Sequence, residues 1–343
     1  MSDELQLLDE TLAAIFAKHF DRTARIAAGR DFPHELWTLL DKAGLTTLGG
    51  DGAELAELVV LARAVGRAAA PVPLVETAGI AAWLVGAAEE ALPEGITTCA
   101  VGHADDDLRV VRDGDGWAVS GTLHRVPWGR DSGHVAALVD GVLVVLPVPQ
   151  EVRRGVNLAG EPRDTLEFHG VAAHTAVDGA VGPDALRERG AVLRAASMAG
   201  AMESALELSL AYAGEREQFG KTISSFQAVQ QHLVAIAEET LCAGMAVRLA
   251  VAASPEQAGF AAAAAKNTAG CAAAVVTKRA HQVHGAIGVT DEHALPWFTK
   301  RLWAWQDEFG TAREWAAPLG RGVIADGGAG LWPRLSASVG DAG

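Results

Sequence analysis

Two short stretches hold the residues whose types and spacing suit the binding of an anionic ligand. The first is REQFGKTISSFQAVQ, from Arg216 to Gln230, and the second is QVHGAIG, from Gln282 to Gly288. An arginine can hold a phosphate group even inside an acidic protein, because its guanidinium makes charge-assisted hydrogen bonds. Taken singly, Arg216 is also consistent with a surface cation and Gly285 with a helix stop. Their joint occurrence is what favours a binding site.

The first stretch also predicts a tight corner between two helices. A long segment with apolar residues at helical spacing ends before it, and another begins after Ser224-Ser225. Ser224 followed by Gln227 matches the reciprocal capping pattern, in which each side chain satisfies an orphan amide of the new helix. We therefore predict a helix–turn–helix corner, with Phe219-Gly220 at the turn and a capping box at the start of the second helix.

The acidic run HADDD, at residues 103–107, is the stretch that most resembles a set of metal ligands. No second cluster at ligand spacing accompanies it, so the sequence predicts a solvated loop and no metal site. Cys99, Cys242 and Cys271 are few, odd in number and far apart. They indicate neither a disulfide framework nor a CxxC metal site, and a reducing cytoplasm fits them best.

Length and charge limit the classes of function. A chain of 343 residues can bury sizeable cores and contain two or three domains. Its net charge of −15, without a basic stripe, argues against nucleic-acid binding and against an anionic membrane surface. No apolar run approaches the roughly 20 residues of a membrane span. The acidic start MSDELQLLDE differs from a signal peptide, so we expect a cytoplasmic protein.

The elements that position these stretches change along the chain. Residues 1–95 carry apolar residues at helical spacing and predict an N-terminal helical domain. Residues 96–182 contain short β-prone runs separated by turn signals, which predict a compact antiparallel barrel or sandwich. Residues 183–326 return to long helices with short connections, as in an up-down four-helix bundle. The Gly-rich tail, 327–343, is expected to be loosely ordered.

Three details of the bundle are specific enough to be checked. In its first helix, Gly200, Ala201 and Ala205 predict the close approach of a neighbour. Ser254-Pro255 marks the start of a helix of about 27 residues that stops at Gly285. A further helix is predicted from Thr290 to Phe309, ended by Gly310, and a short final helix follows Thr311.

This order of domains, together with two motifs, resembles the acyl-CoA dehydrogenase superfamily over nearly the whole chain. The motifs are RxQFGxxxxxFQxxQ in the first corner of the bundle and QxHGxxGxT before its last helices. The resemblance implies a mainly α protein with a small middle β-barrel and a C-terminal four-helix bundle. It also implies α,β-desaturation of an acyl-CoA thioester. In that reaction a carboxylate takes the α-proton, FAD accepts a hydride, and an electron-transfer flavoprotein receives the electrons.

The resemblance implies a role for each matching position. Arg216 would pair with the FAD pyrophosphate, Phe219 would pack on the adenosine half, and Gln227 would form a hydrogen bond there. A second group would offer side-chain and backbone donors to the adenosine and pyrophosphate portion: Gln282, Val283, His284, Gly285 and Ala286. In this family such groups reach the FAD of the neighbouring subunit across the dimer interface.

The catalytic base of the family is missing from its usual place. It normally lies in a Tyr-Glu-Gly-Thr motif, but this chain reads Glu308-Phe309-Gly310-Thr311, so Phe309 takes the position of the base. Glu308 comes one residue early, which on a helix is about 100° of rotation. Some relatives place the base at the start of the first bundle helix. There this chain has Gly190-Ala191-Val192, with Glu188 nearby.

The flavin site in the chain's own β domain is eroded as well. A Thr-Glu-Pro-Gly loop is expected near residues 99–107 but is absent. The Trp-Ile-Thr segment that backs the flavin ring is replaced by Arg125-Val126-Pro127, and proline has no amide proton to donate. The chain is also shorter than typical members of the family.

This asymmetry predicts a non-catalytic, half-site subunit of a heteromeric acyl-CoA dehydrogenase. The resemblance implies an α2β2 assembly in which a second subunit carries the catalytic Glu and FAD is shared at the interface. It further implies a CoA thioester of a steroid side chain as substrate. Two alternatives stay open. One is a self-sufficient homotetramer that uses Glu308 as its base, and the other is a flavin-free subunit that only stabilises a partner.

Overall fold

The computed structural model describes residues 2–19, 31–50, 52–114, 116–325, 327–330 and 332–333. The chain forms two compact units, one of Met1–Leu61 with Ala70–Gly190 and one of Ala62–Ala69 with Ala191–Gly343. The predicted fold class, mainly α with a small β region, is confirmed. The three-domain division at residues 95 and 182 stays a prediction, as does most of the tail, which lies outside the described residues.

The first unit begins with short amphipathic helices. They are α1, Asp3–His19; α2, His34–Lys42; the first part of α3, Leu55–Ala68; and a π-helical turn, Val75–Ala81, that continues as α4, Ala82–Ala87. Leu36, Trp37 and Leu40 bury one face of α2, as the helical spacing predicts. Phe32 precedes this helix and packs its ring against Trp37, with the ring centroids 6.2 Å apart.

Two small sheets follow in the same unit. Their strands are β1, Thr97–Cys99; β2, Arg109–Asp113; β3, Gly116–Pro127; β4, His134–Val139; β5, Val142–Pro147; β6, Arg163–Ala172; and β7, Thr175–Asp178. One sheet has the order β1-β4-β5-β7 and the other β2-β3-β6. Alternating residues from both, such as Val119, Val144 and Phe168, share one core. The expectation of a purely antiparallel region was wrong, because β1 pairs with β4 in parallel.

The second unit is a helical bundle. Its helices are α5, Pro183–Glu215, of which residues 191–215 belong to this unit; α6, Gln227–Ala252; α7, Ala258–His284; α8, Leu295–Trp305; and α9, Ala312–Ala325. The long α6 and α7 pack along each other, and α7 also contacts α8 and α9. Small side chains such as Ala265, Ala269 and Ala273 are fully buried on α7, which lets its neighbours approach closely.

The close approach predicted on α5 is present. Residues 62–69 cross it at Gly200, where an added Cβ would collide with the backbone oxygen of Arg63. Beside this crossing, Arg63 Nε lies 2.8 Å from Glu203 Oε1. The hydroxyl of Ser204 donates to the backbone oxygen of Arg67 at 2.7 Å. A glycine on α5 thus permits a backbone contact that polar groups then hold in register.

The helix predicted from Thr290 to Phe309 is shorter than expected. After Gly285–Val289, which forms a 3₁₀ turn, the Thr290 hydroxyl donates to the oxygen of Ile287 and delays the new helix until Leu295. At the other end, Phe309 and Gly310 have φ of 56° and 96°, which breaks helical geometry. The length of 27 residues and the stop at Gly285 are confirmed for α7. Its predicted start at Ser254-Pro255 was wrong, because Pro255–Gln257 form a 3₁₀ turn and the Ser254 hydroxyl donates to Glu256 and caps no amide. Among the described residues, no helix is long and apolar enough to cross a membrane.

Candidate functional site

The corner between α5 and α6 is a miniature hairpin. Two-residue strands β8, Glu217–Gln218, and β9, Lys221–Thr222, pair across Phe219 and Gly220. These two residues have φ of 52° and 77°, as in a type I′ turn, whose twist matches the paired strands. The amide of Ile223 donates to the oxygen of Arg216 at 2.8 Å, closing the hairpin at its base. The predicted turn is therefore present at the predicted residues.

The predicted capping box is wrong. Residues Ile223–Ser225 form a 3₁₀ turn, so α6 begins at Gln227, with Phe226 as its N-cap. Ser224 Oγ lies 2.9 Å from Thr222 Oγ1, and the Ser224 carbonyl accepts from Gln230 Nε2 at 2.9 Å. Within the described part of the chain, no side chain caps the first amides of α6. The Ser224 hydroxyl interacts with Thr222, one turn before α6, and does not reach the first amides of that helix. Gln227 is exposed.

Phe219 is the most unusual residue of the corner. Its side chain is 93% exposed, although it is a large aromatic group. It also holds a left-handed backbone conformation, which costs a non-glycine residue of the order of 1 kcal/mol or more. Such strain concentrates at ligand-binding positions. An exposed, strained aromatic is therefore better explained by a ligand or partner than by the stability of the corner itself.

The structure brings the two sequence stretches together. Ala213, Ile223 and Val283 form one buried cluster, against which Phe226, Val229 and other partly buried side chains pack. This cluster joins the end of α5, the corner and the end of α7. Six exposed residues flank this cluster in the sequence and supply a guanidinium, an aromatic ring, two side-chain amides and a short backbone segment: Arg216, Phe219, Gln227, Gln282, Gly285 and Ala286. We call this set the rim.

Two of the predicted site residues do not present their side chains on the rim. Val283 is 6% exposed and His284 is 3% exposed, so both lie in the interior. The His284 ring stacks on Tyr212 at 4.8 Å and approaches His293 at 4.7 Å. Its Nδ1 lies 2.8 Å from the oxygen of Ala280, within the helix. These side chains thus support the rim from beneath, which the sequence did not indicate because Tyr212 and His293 belong to other elements.

Burial controls the charge of the histidines under the rim. Desolvation lowers the pKa of His284, although two backbone hydrogen bonds act to raise it. Desolvation also lowers the pKa of His281, and repulsion from His284 lowers it further. His281 Nε2 lies 3.0 Å from the Thr299 hydroxyl. Neutral imidazoles therefore hold the end of α7 against α8 at neutral pH.

Glu308 lies inside the bundle in an ion pair. Its Oε2 is 2.9 Å from a terminal nitrogen of Arg194, and the two side chains are only 9% and 3% exposed. The Arg194 guanidinium in turn lies over the ring of Trp305, 5.2 Å from its centroid. Because α8 ends at Trp305, no rewinding of a helix is needed to explain where Glu308 points. Its carboxylate neutralises a buried arginine.

Lys266 holds the segment that contains Glu308. Its ammonium is fully buried and donates to the oxygens of Gln306 and Gly310 at 2.7 and 2.8 Å. Burial lowers the pKa of Lys266 to about 8, although the nearby Glu308 carboxylate acts to raise it. The Trp315 indole donates to the oxygen of Phe309, which is itself buried. The segment from 306 to 310 is therefore held by three side chains, those of Arg194, Lys266 and Trp315.

A capping box does occur, at the start of α9. The amide of Thr311 donates to Glu314 Oε2 at 2.6 Å, and the amide of Glu314 lies 3.2 Å from the Thr311 hydroxyl. This is the reciprocal arrangement that the sequence analysis expected at Ser224 and Gln227. The Thr-x-x-Glu spacing from Thr311 to Glu314 carries the same signal in the sequence.

Glu188 has features of a titrating group. It is partly buried near the start of α5, and desolvation followed by repulsion from Asp184 raises its pKa. The neighbouring Arg189 turns inward, donating to the oxygen of Gly79 at 2.7 Å and stacking over Trp83. Burial lowers the pKa of Arg189 to about 10. A carboxylate with a raised pKa is suited to proton transfer, but Glu188 is not at the position that the family uses.

The segment that replaces the flavin-backing motif is built into the β region. Arg125 has φ of 54°, and the pairing of β3 with β6 shifts register between Leu123 and Val126. Pro127 pairs with Arg163, and its oxygen accepts from the Thr98 hydroxyl at 2.6 Å. Pro127 thus serves as a hydrogen-bond acceptor toward β1, and it has no amide proton to offer a ligand.

Comparison with known proteins gives a consistent picture. The profile of the family described as Acyl-CoA dehydrogenase, C-terminal domain, matches residues 187–307. The chain is 32% identical over 317 residues to Acyl-CoA dehydrogenase IpdE2 of Mycobacterium tuberculosis, covering 87% of this chain and 91% of that protein. It is 30% identical over 332 residues to the protein of the same name from Mycolicibacterium smegmatis, covering 92% and 97%.

Two solved structures are similar over nearly their full length. The ChsE4-ChsE5 complex from Mycobacterium tuberculosis contains a chain with a TM-score of 0.82 and 25% identity, covering 95% of this chain and 98% of that chain. The Tcur3481-Tcur3483 steroid ACAD G363A variant contains one with a TM-score of 0.80 and 28% identity, covering 95% and 99%.

Proposed function

Since this chain belongs to the acyl-CoA dehydrogenase superfamily of oxidoreductases, we propose that it is the non-catalytic, half-site subunit of a heteromeric member. In this assignment the rim supplies the adenosine and pyrophosphate half of an FAD site at a subunit interface. The observation that carries the proposal is the rim itself. Its residues are exposed, and they belong to the two segments that the cluster of Ala213, Ile223 and Val283 joins.

The chemistry of the rim fits the cofactor. The guanidinium of Arg216 matches a pyrophosphate, and Gln227 and Gln282 offer amide donors and acceptors to an adenosine. Phe219 offers an exposed ring for stacking on the adenine. Lys221 adds a second positive charge in the same turn, within a chain whose net charge is −15. When bound, FAD accepts the hydride that leaves the β-carbon of the acyl group.

The residue at position 309 and the surroundings of Glu308 support the proposal that a partner subunit supplies the catalytic base. Phe309 occupies the family position of the base and is buried, and Glu308 neutralises Arg194 in the interior. A base has to reach the α-carbon of a substrate with an available lone pair. Glu308 is poorly placed for that role, which weakens the self-sufficient alternative. We propose that the second, acyl-CoA dehydrogenase-like subunit contributes the catalytic Glu, in an α2β2 assembly.

The names of similar proteins support a substrate class. One similar structure is a complex of two components, ChsE4 and ChsE5, and another is described as a steroid ACAD. We propose that the acyl-CoA substrate of this chain's complex carries a steroid-type acyl group, and that an electron-transfer flavoprotein accepts the electrons. We expect the complex to work in the cytoplasm.

The test is to count FAD per chain after co-expression with candidate partner subunits. The proposal expects a nearly colourless chain alone and about one FAD per two chains in the complex. Arg216→Ala in the complex should lower flavin content severely, because a charge-assisted contact to the pyrophosphate is lost. Arg248→Ala is the matched control, since Arg248 is an exposed arginine of α6 outside the rim. Phe219→Ala should also lower flavin content.

Two outcomes would reject the proposal. A chain that is yellow when purified alone, and that reduces an acceptor with acyl-CoA, would establish the self-sufficient enzyme. A complex whose flavin content is the same in the wild type, Arg216→Ala and Phe219→Ala would establish the flavin-free stabilising subunit.

A further inference from the structure

The loop after β1 and the strand β3, both in the first unit, bring one carboxylate and two imidazoles together. His103, Asp106 and His124 each offer one ligand atom, and these atoms all lie within 4.8 Å of one another. The two histidine rings are 5.6 Å apart. In the sequence, no second cluster at ligand spacing accompanies residues 103–107. The fold supplies the missing partner as His124, on β3.

Asp106 is fixed at the centre of this group. One of its oxygens accepts from the amide of His103 at 2.7 Å and the other from the amide of His124 at 2.6 Å. The carboxylate is thereby clamped between loop and strand before any ligand arrives. Each carboxylate oxygen has two lone pairs, so both keep acceptor capacity for a cation. A carboxylate held in this way is pre-organised as a ligand.

His124 provides the second observation. Its Nδ1 is buried and has no hydrogen-bond partner among the described residues. The same nitrogen lies 3.4 Å from Asp106 Oδ1, in a geometry that does not form a hydrogen bond. In the tautomer with its proton on Nε2, the Nδ1 lone pair faces this carboxylate oxygen, which is an unfavourable arrangement. A cation coordinated by both atoms would remove the repulsion and satisfy the orphan nitrogen.

His103 has an outer partner of the kind that metal-binding histidines use. Its Nδ1 lies 3.6 Å from Asp105 Oδ2 and accepts from the Asp105 amide at 3.2 Å. If Nε2 binds a metal ion, the ring proton moves to Nδ1, which then gives up the hydrogen bond from the Asp105 amide and donates to the Asp105 carboxylate instead. Metal-ligating histidines commonly donate their second N–H to a carboxylate, which orients the ring. Asp105 is in position for that role.

We propose that His103, Asp106 and His124 bind a divalent transition-metal ion such as Zn²⁺, with water completing the coordination shell. Two imidazoles and one carboxylate favour Zn²⁺, Ni²⁺ or Cu²⁺ over Mg²⁺ and Ca²⁺, which prefer all-oxygen shells. Metal–ligand distances of about 2.0–2.2 Å require the ligand atoms to close by about 1 Å. The partly exposed His103 on its loop can make this movement. Binding would pin the loop to β3, independently of any flavin.

The test uses the untagged full chain, stripped with EDTA and dialysed against ZnCl2. The wild type should retain about one Zn²⁺ per chain and show a higher Tm with Zn²⁺ than with MgCl2. His124→Gln and His103→Ala should each weaken Zn²⁺ binding at least about 10-fold, as expected for loss of a ligand. His134→Gln is the matched control. His134 faces His174 at a ring distance of 5.5 Å in the same unit, outside the proposed site.

Several results would overturn the site. The site is rejected if the wild type does not take up Zn²⁺, or if His103→Ala and His124→Gln take up as much Zn²⁺ as the wild type. It is also rejected if the Tm of the wild type rises equally with MgCl2 and with ZnCl2. If His124→Gln does not fold, His103→Ala decides, because the His103 side chain is a third exposed and its loss should leave the fold intact. Reduced binding by His103→Ala with unchanged binding by His134→Gln supports the site.

Discussion

Glu308 and Arg194 place opposite charges against each other inside the bundle, and their environment decides what either can do. Buried ion pairs contribute little net stability, since desolvation offsets their attraction. Removing one partner is costly, however, because it leaves the other charge buried and unpaired. The same pairing that makes Glu308 structurally necessary keeps its carboxylate from acting as a base.

We expect Glu308→Leu to lower the free energy of unfolding by about 3–5 kcal/mol, since the Arg194 charge loses its partner. The double variant Arg194→Met/Glu308→Leu removes both charges and should recover most of this loss. Chemical denaturation of the three chains measures the effect. If the double variant is as stable as the wild type but its reconstituted complex is inactive, Glu308 has a catalytic role and the structural assignment fails.

Lys266 should make the stability of the bundle depend on alkaline pH. Its pKa is about 8 in the folded chain and about 10.5 in the unfolded chain. Between these values the unfolded chain binds more protons, so the free energy of unfolding rises with pH through this window. The Tm of the wild type minus that of Lys266→Met should therefore increase from pH 8 to pH 10. A flat difference would mean that the buried amine is not desolvated as described.

At the level of single elements, the hairpin at Phe219-Gly220 carries a residue that favours ligand binding and disfavours the stability of the turn. Its turn requires φ above zero at both central residues, and Asn-Gly is the pair that meets this most readily. Phenylalanine at the first position strains the backbone and exposes an aromatic ring to solvent. The turn is thus built with a residue that suits a ligand better than it suits the turn.

Phe219→Asn tests this opposition directly. The free chain should be as stable as the wild type or more so, by up to about 1 kcal/mol, because the left-handed conformation is no longer strained. Flavin content of the complex should fall, since the stacking ring is lost. A variant that keeps its full flavin content would remove Phe219 from the site. A clear loss of stability would show that its ring stabilises the corner.

Elements with strong local signals could be predicted from the sequence, and those fixed by tertiary contacts could not. The stop at Gly285 and the turn at Phe219-Gly220 follow from glycine chemistry within a few residues. The false capping box at Ser224 shows the limit, because the 3₁₀ turn that displaced it depends on packing of Ile223. Parallel pairing of β1 with β4 joins strands that are distant in sequence.

The candidate site, too, contains residues that could be predicted from the sequence and residues that could not. The rim residues were found because two motifs mark them, but Tyr212 and His293 beneath it belong to other elements and carry no motif. Arg194 as the partner of Glu308, and His124 as the partner of Asp106, lie far along the chain from the residues that they contact. Periodicity and spacing report local geometry, and these pairs form only after the chain has folded.

At the scale of the whole molecule, the net charge of −15 is a constraint on the free chain. Like charges at this density repel one another across the folded surface and oppose compactness. Exposed ion pairs, such as Arg67 with Glu207, are worth at most about 1 kcal/mol each. Repulsion should therefore outweigh these pairs in the balance of long-range electrostatics.

We expect the Tm of the isolated chain to rise as NaCl increases from about 0.02 M to about 0.2 M. Over this range the Debye length falls from about 20 Å to about 7 Å, which screens distant repulsion more than close contacts. Scanning calorimetry measures the shift, and KCl in place of NaCl should give the same result. A fall in Tm would mean that surface ion pairs dominate instead.

The burial of Phe309 has a consequence for the history of this chain. Phe309 is 6% exposed, and its backbone oxygen accepts from the Trp315 indole in the interior of the bundle. Placing a carboxylate there in one mutational step would bury a charge, and without a paired cation the cost is several kcal/mol. Proteins of this size have only about 5–15 kcal/mol of stability to lose. If the chain is the half-site subunit proposed above, this cost opposes any single substitution that would restore a base at position 309.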